Sequence, residues 1–461
     1  MEFSVRSSLP GLRRVYHLLP LRWRLGSVFR DTYDFLQESQ WWSRRRIEAF
    51  QLEQLQRLLS HAYDNVPSYR RKFDAHGVEP ADISTLEEVA KLPFVTKEEM
   101  QESPAEYVAA NVPQSRRHYL TTGGSSGVPF GFYDDIRTSF PRELASIYSL
   151  WARVGFSPGD RTVVIRGSVV ETAEKGKFAV YSSKRRELIL SSYHMLDENL
   201  EEYVRIIRRF RPKFIQAYPS AITLLANFMR QNSLEPFGFL KAVLCGSENV
   251  YDWQRAMVES VLKCRLFSWY GHSERAVLAG ETETSNRYHL CPEYGYTEIV
   301  DKNGDPISEE GVPGEIVATG FHNYVTPFIR YRTGDVAAWQ ETPPDSRRQH
   351  RVFSRVEGRL QELIVTATGR KISMTAINMH SDVFDNIQQF QFVQEEKGKV
   401  LFSVVKKSSY TDRDTHYVGR ELEKKLGADM DLSIRFVDEI PPTRSGKHRF
   451  LIQKLSVEFG D

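Results

Sequence analysis

Apolar residues between Trp41 and Tyr63 recur at helical spacing, with Ile47, Phe50, Leu55, Leu58, Leu59 and Ala62 on one stripe. Asn65-Val66-Pro67 ends that helix, because the residue before a proline is pushed out of the helical region. Short helical pieces follow, and Thr85-Leu86-Glu87-Glu88 reads as a capped start. Further on, the period changes. Strands are predicted over 161–166, 213–217, 240–245 and 265–269, with helices around 200–210, 220–229 and 252–262. Strands alternating with helices of this length build βαβ units, so the fold class is α/β with a mainly parallel sheet. Beyond Tyr296 the pattern is strand-rich over 297–301, 314–319 and 329–331, punctuated by Gly and Pro. That predicts a smaller β element attached to the α/β body. From about Gln361, strands at 362–367, 399–405 and 433–437 and helices near 376–384 and 414–426 predict a small, mobile, lid-like α+β domain. The expected organisation is a basic lead-in over 1–40, a large domain over 41–360 and a small C-terminal domain over 361–461.

The first thirty residues stand apart. Arg6, Arg13, Arg14, Arg22, Arg24 and Arg30 face a single acid, Glu2, and Pro20 interrupts any helix among the intervening apolar residues. Two readings stand: a segment that sits on an anionic membrane surface, or a positively charged lead-in that packs on the body. Over all 461 residues the net charge is +2, which gives no reason to expect a nucleic-acid partner. Apolar residues at 41% and charged residues at 26% fit a soluble globular protein. Cys245, Cys264 and Cys291 allow no disulfide framework and indicate a reducing compartment. No apolar run reaches the roughly 18 residues of a membrane span, and no secretory signal leads the chain. The expected location is therefore the cytoplasm, at the inner membrane face if the lead-in docks there.

Candidate chemistry begins with the loop that follows Tyr119-Leu120. Every residue from Thr121 to Gly127 is Gly, Ser or Thr: Thr121, Thr122, Gly123, Gly124, Ser125, Ser126 and Gly127. Glycines let backbone N–H groups turn to a common point and hydroxyls add donors, a composition suited to a phosphate chain. It is not a Walker A loop, since no Gly-Lys-Ser/Thr follows. The plainer reading is a solvated linker. Further motifs follow in order: Gly246-Ser247-Glu248, Tyr270-Gly271-His272-Ser273-Glu274, Tyr331-Arg332-Thr333-Gly334-Asp335, Gly358-Arg359 and Thr443-Arg444-Ser445-Gly446-Lys447. The first two follow predicted strands, where open α/β sheets bind ligands.

This ordered set resembles the adenylate-forming enzymes, the acyl-CoA synthetase and adenylation-domain superfamily. Within it the chain is most similar to the phenylacetate–CoA ligase-like branch that includes the CapK proteins. The stretch from Gln54 to Arg70 resembles that branch too. The resemblance implies that Thr121–Gly127 cradles ATP phosphates, with Tyr270, Gly271 and Ser273 also at the nucleotide and Gly246, Ser247 and Glu248 beside the adenine. It implies that Glu274 holds Mg²⁺, a hard cation that prefers carboxylate oxygen. Asp335 would accept both ribose hydroxyls, a bidentate role that carboxylates suit, with Arg359 near the same sugar. Lys447 would bridge the acyl carboxylate and the α-phosphate, where charge builds as pyrophosphate leaves. His272 either lines the acyl pocket or supports its loop.

Two departures matter. Members of this branch often hold zinc through a Cys-x-Cys pair before the Gly-Arg, but here 343–350 contains no cysteine. His289 and Cys291 remain, and two soft ligands do not complete a tetrahedral site, so no zinc is predicted. At the hinge, where Asp or Lys is usual, Gln361 is neutral. The reading is an ATP-dependent ligase that activates a small-molecule carboxylic acid as acyl-AMP and transfers the acyl group to coenzyme A. The alternatives are transfer to an amine or hydroxyl, and a non-catalytic binding module that retains the fold.

Overall fold

The computed structural model describes residues 21–121, 130–166, 170, 178–183, 185–192, 194–195, 197–342, 346–359, 363–369, 371–373, 377, 386–441, 443 and 449–455. Within the basic lead-in, Arg22 pairs with Asp34, Arg30 lies 3.5 Å from Asp31 and 4.7 Å from the centre of the Trp23 ring, and Leu21 and Phe29 are buried. This part of the lead-in packs on the body, with Phe29 edge-on to Tyr148 at 5.9 Å and Gln37 donating to Ser149 at 3.0 Å. Among the described residues no helix is long and apolar enough to cross a membrane.

After a helical turn at Leu21–Arg24 come helices α1 (Ser27–Ser39) and α2 (Arg44–Asn65). The α2 helix buries Ile47, Leu55, Leu58, Leu59 and Ala62, the predicted stripe, and leaves Phe50 half-buried. Val66 is extended, and Pro67 opens α3 (Pro67–His76), because a proline at the first helical position lacks only an N–H that would have no partner there. The capped start at Thr85 leads into one of the short helical pieces: the Glu88 carboxylate accepts from the Ser84 and Thr85 backbone N–H groups at 2.8 and 3.0 Å, and Glu87–Lys91 closes as a short 3₁₀ helix.

An antiparallel hairpin of β1 (Arg117–Thr121) and β2 (Gly131–Asp135) follows. The α/β body then runs through α4 (Ser139–Ala152), β3 (Thr162–Ile165), β4 (Ala179–Ser182), β5 (Glu187–Leu190) and α5 (Asp197–Phe210). It continues with β6 (Phe214–Ala217), α6 (Pro219–Gln231), β7 (Ala242–Cys245), α7 (Asp252–Leu262) and β8 (Arg265–Gly271). Five strands, in the order β5-β3-β6-β7-β8, are parallel. Successive residues of a strand point to opposite faces. Ile165, Ala217 and Cys245 accordingly join the core under α5, α6 and α7, whereas Phe214, Leu244 and Phe267 join the core under α1 and α4.

The strand-rich stretch continues this same sheet. Strands β9 (Leu278–Gly280), β10 (Tyr288–Leu290), β11 (Gly295–Val300), β12 (Pro313–Gly320), β13 (Tyr331–Gln340) and β14 (Val352–Arg359) extend it antiparallel from β8 into a 12-stranded whole. The strand predicted over 329–331 starts at its last residue instead, because Arg330 has φ +43° and breaks the extended backbone. The small C-terminal part has a ribbon of β15 (Leu363–Val365) and β16 (Lys371–Ser373). Beside it, β17 (Ile387–Gln394), β18 (Lys399–Lys406), β19 (Asp431–Phe436) and β20 (Leu451–Gln453) form a four-stranded sheet. Helix α8 (Asp412–Leu426) covers it with Val418, Leu422 and Leu426. Of the helix predicted near 376–384, only Ile377 lies among the described residues.

Candidate active site

The motif residues gather along the carboxyl ends of β7 and β8. Gly246 follows β7 directly, and a Cβ there would stand 2.6 Å from the Trp269 ring, so the close approach requires glycine. Ser247 is held at φ +71°, a left-handed conformation that costs a serine about 1–3 kcal/mol and tends to mark functional sites. Glu248 accepts from the Ser220 backbone N–H at 3.0 Å and from its hydroxyl at 3.1 Å. Ser220 lies in the first turn of α6, where unpaired N–H groups and the helix dipole favour an anion.

Across β8, Tyr270 donates its hydroxyl to Asp335 Oδ2 at 2.6 Å. Asp335 lies on β13 and pairs in register with Arg359 on β14. The two residues expected near the ribose, far apart in sequence, are thus cross-strand neighbours. Gly334, with φ +72°, donates its N–H to Glu315 at 3.1 Å, and Thr333 Oγ1 accepts from the Asp335 N–H at 3.1 Å. Glu274 is 9% exposed; it accepts from the Tyr331 hydroxyl at 3.1 Å, and His272 Nδ1 lies 3.2 Å from its other oxygen. Gly271 and Ser273 are exposed.

The loop bearing Glu274 is tied to the β1–β2 hairpin. Arg275, at φ +57°, donates to Asp134 on β2 at 3.0 Å and to Ser139 at the start of α4. Thr121 ends β1 opposite Gly131, so the Gly/Ser loop is the connection of that hairpin. Thr122, Gly123, Gly124, Ser125, Ser126 and Gly127 lie outside the described residues, as do Lys447 and Gln361. Phe450, just past Lys447, packs edge-on against Tyr251, just past Glu248, with ring centres 5.4 Å apart. Tyr331, Tyr251, Ser220 and Arg166 were not singled out as site residues from the sequence. Tyr331 could have been, since it opens the motif that ends in Asp335.

The two soft side chains named from the sequence have cationic company. His289 is pushed down to about 4 by burial and by Arg153 and Arg348 beside it, and burial also lowers His350. Cys291 is raised to about 12 by burial, with Arg153 close by. Two guanidinium groups at this spot oppose a divalent cation, and the donors do not fit zinc. Among the described residues no group of three or more His, Cys, Asp or Glu is arranged to hold a metal ion.

Comparison with known proteins gives the fold and the family. The solved structure of 2-hydroxyisobutyryl-CoA ligase in its postadenylation state superposes with a TM-score of 0.72, at 20% identity, over 90% of this chain and 93% of that one. The fold is therefore that of the adenylate-forming ligases. Residues 364–454 match the model of the CapK C-terminal domain. The chain is 24% identical to Protein CapK of Staphylococcus aureus, over 80% of this chain and 81% of that protein. It is 30% identical to phenylacetate-coenzyme A ligase of Pseudomonas putida, over 68% of this chain and 71% of that protein. The chain belongs to the phenylacetate–CoA ligase family.

Proposed function

We propose that this protein activates a small-molecule carboxylic acid with ATP and passes the acyl group to coenzyme A. In the first step an acid oxygen attacks the α-phosphorus, and the bond to pyrophosphate breaks. In the second, the coenzyme A sulfur attacks the acyl carbon, AMP leaves, and the thiol proton goes to solvent. The observation that carries the reading is the Tyr270–Asp335 hydrogen bond of 2.6 Å, with Arg359 in register beside it. That pair forms a ready acceptor for a cis-diol. The Gly/Ser loop from Thr121 to Gly127 would receive the phosphates, with Gly271 and Ser273 as exposed neighbours. Glu274 supplies the hard oxygen donor that Mg²⁺ prefers; the ion, when bound, would offset charge on the phosphates. Lys447 would reach the α-phosphate when the small domain closes, a role supported by the contact of nearby Phe450 with Tyr251. Glu248, turned to Ser220, would act as a positioning residue for the adenine wall.

A second reading, favoured by the CapK-type C-terminal match, changes only the acceptor, to an amine or a hydroxyl. The proposed location is the cytoplasm, and membrane contact by residues 1–30 is a separate proposal. The test is pyrophosphate release and hydroxamate formation across a panel of acids, with and without coenzyme A. Hydroxamate with at least one acid, replaced by thioester when coenzyme A is added, is expected. Hydroxamate without any thioester would move the assignment to the second reading. No pyrophosphate with any acid would defeat both.

A further inference from the structure

We propose that Arg275 is a positioning residue for Mg²⁺-bound ATP. It locks the loop of Glu274 to the β1–β2 hairpin and so fixes the spacing between that carboxylate and the phosphate-facing end of the hairpin. The inference rests on the adenylation reading above and assigns the side chain that joins its two phosphate-facing parts. Glu274 and Arg275 are neighbours sent to different partners. Glu274 accepts from the Tyr331 hydroxyl of β13 at 3.1 Å. Arg275 Nη1 donates to Asp134 Oδ2 of β2 at 3.0 Å and to the Ser139 hydroxyl at the start of α4. The backbone imposes this divergence. Arg275 has φ +57°, and its N–H donates to the His272 carbonyl at 3.1 Å, closing a turn. A residue with a Cβ keeps that conformation only where its surroundings over-determine it. Here the sheet supplies them: a Cβ at Gly320 of β12 would stand 2.8 Å from the Ala276 Cα, and one at Gly295 of β11 would press on the Ala276 carbonyl.

The hairpin side of the joint is fixed as well. The Asp134 side chain is 5% exposed, and its Oδ1 accepts from the Asp135 N–H at 2.7 Å. Beside it, the Tyr133 N–H donates to Thr326 Oγ1 at 3.2 Å, and the Tyr133 carbonyl accepts from Asn323 Nδ2 at 2.8 Å. On α4, Glu143 lies 3.8 Å from Arg275 Nε and accepts from the Tyr294 hydroxyl at 2.6 Å. The Arg275 side chain is 17% exposed, so solvent screens these charge-assisted contacts less than it would on the surface. Asp134 stands three residues along β2 from Gly131, about 10 Å of strand. A shift at the guanidinium is therefore carried to the end of the hairpin from which the Gly/Ser connection leaves. Mg²⁺ demands near-ideal geometry, with oxygens at about 2.0–2.1 Å. A carboxylate and a phosphate that share it must be held at a set distance, whereas AMP makes no such demand.

The test is titration calorimetry with α,β-methylene-ATP and with AMP, each in Mg²⁺ and in EDTA, for the wild type, Arg275→Gln, Arg275→Lys and Asp134→Asn. The wild type is expected to bind the triphosphate more tightly with Mg²⁺ than without. Arg275→Gln is expected to lose most of that difference while keeping its AMP affinity, and Arg275→Lys to keep part of it. Its kcat/KM for Mg²⁺-bound ATP, read as pyrophosphate release, should fall by about 10–10²-fold, the scale of a 1 Å misplacement. Asp134→Asn should match Arg275→Gln, and the double variant should be no worse than either, because both remove one contact. A variant that folds poorly lowers AMP and triphosphate binding together, so folding is read in the same experiment. An Arg275→Gln that keeps the full Mg²⁺ effect overturns the proposal. So does a joint loss of AMP and triphosphate binding in Arg275→Gln and Asp134→Asn, which would make the guanidinium a structural tie only. A wild type that binds AMP but is indifferent to Mg²⁺ also overturns it and leaves adenylation standing. A wild type that binds neither nucleotide and releases no pyrophosphate with any acid defeats both readings.

Discussion

Tyr251→Ala tests whether the small domain is held to the large one by an aromatic clasp. Tyr251 is 6% exposed and meets Phe450 edge-on at 5.4 Å; Phe450 in turn lies 5.0 Å from Phe390, which also faces Trp253 at 6.5 Å. The backbone N–H of Tyr251, which donates to Gln254, survives the change. Losing the ring pair alone costs about 0.5–1.5 kcal/mol. That shifts the closed fraction by about two- to tenfold. A large aromatic side chain buries up to ~250 Å², and at ~25 cal/mol/Å² the ceiling is about 6 kcal/mol, or about 10⁴-fold. Single-turnover pyrophosphate release, which in the proposed mechanism needs Lys447 brought in, is expected to fall within those limits. Thioester formation from purified acyl-AMP is expected to hold or rise, and Tyr251→Phe should restore the first step. Unchanged rates in both steps, or a joint fall with a lowered melting temperature, would refute the clasp.

Lys447→Ala is expected to lower adenylation by about 10²–10³, the usual effect of losing one charge-stabilising contact, with ATP binding retained; wild-type pyrophosphate release would remove the residue from the mechanism. Gln361→Pro fixes φ near −65° and restricts the preceding residue, so acyl transfer should fall steeply while adenylation persists; equal losses in both steps would argue against a hinge there. His289 has a folded pKa of about 4, below the ordinary 6.5, so the unfolded chain binds more protons between those values. Its stabilisation, about 3 kcal/mol, is present above pH 6.5 and lost as pH falls towards 4. Melting midpoints from pH 4 to 8 should drop more steeply for the wild type than for His289→Asn; parallel curves would show that His289 is not responsible.

What could be read from the chain alone depended on how far apart the cooperating residues lie. Gly246 and Tyr270 were legible as candidate site residues because each stands at the end of a strand with its own local pattern, and strand ends in α/β sheets are where ligands bind. Asp335 and Arg359 could be named only through a resemblance; their adjacency depends on the register of β13 with β14, which contains bulges that no spacing rule reveals. The β-rich stretch after Tyr296 looked like an attachment because strand pairing is non-local: β10 inserts between β9 and β14, far from it in sequence. Arg166 was passed over for the same reason. At the end of a predicted strand an arginine reads as a solvated terminus. Its meaning changes only when β3, β6, β7 and β8 align so that Tyr218 and Trp269 flank it and Ser247 accepts its hydrogen bond. The shared scaffold was thus legible in chain order, whereas the surroundings of Arg166 arise only from the pairing of these strands.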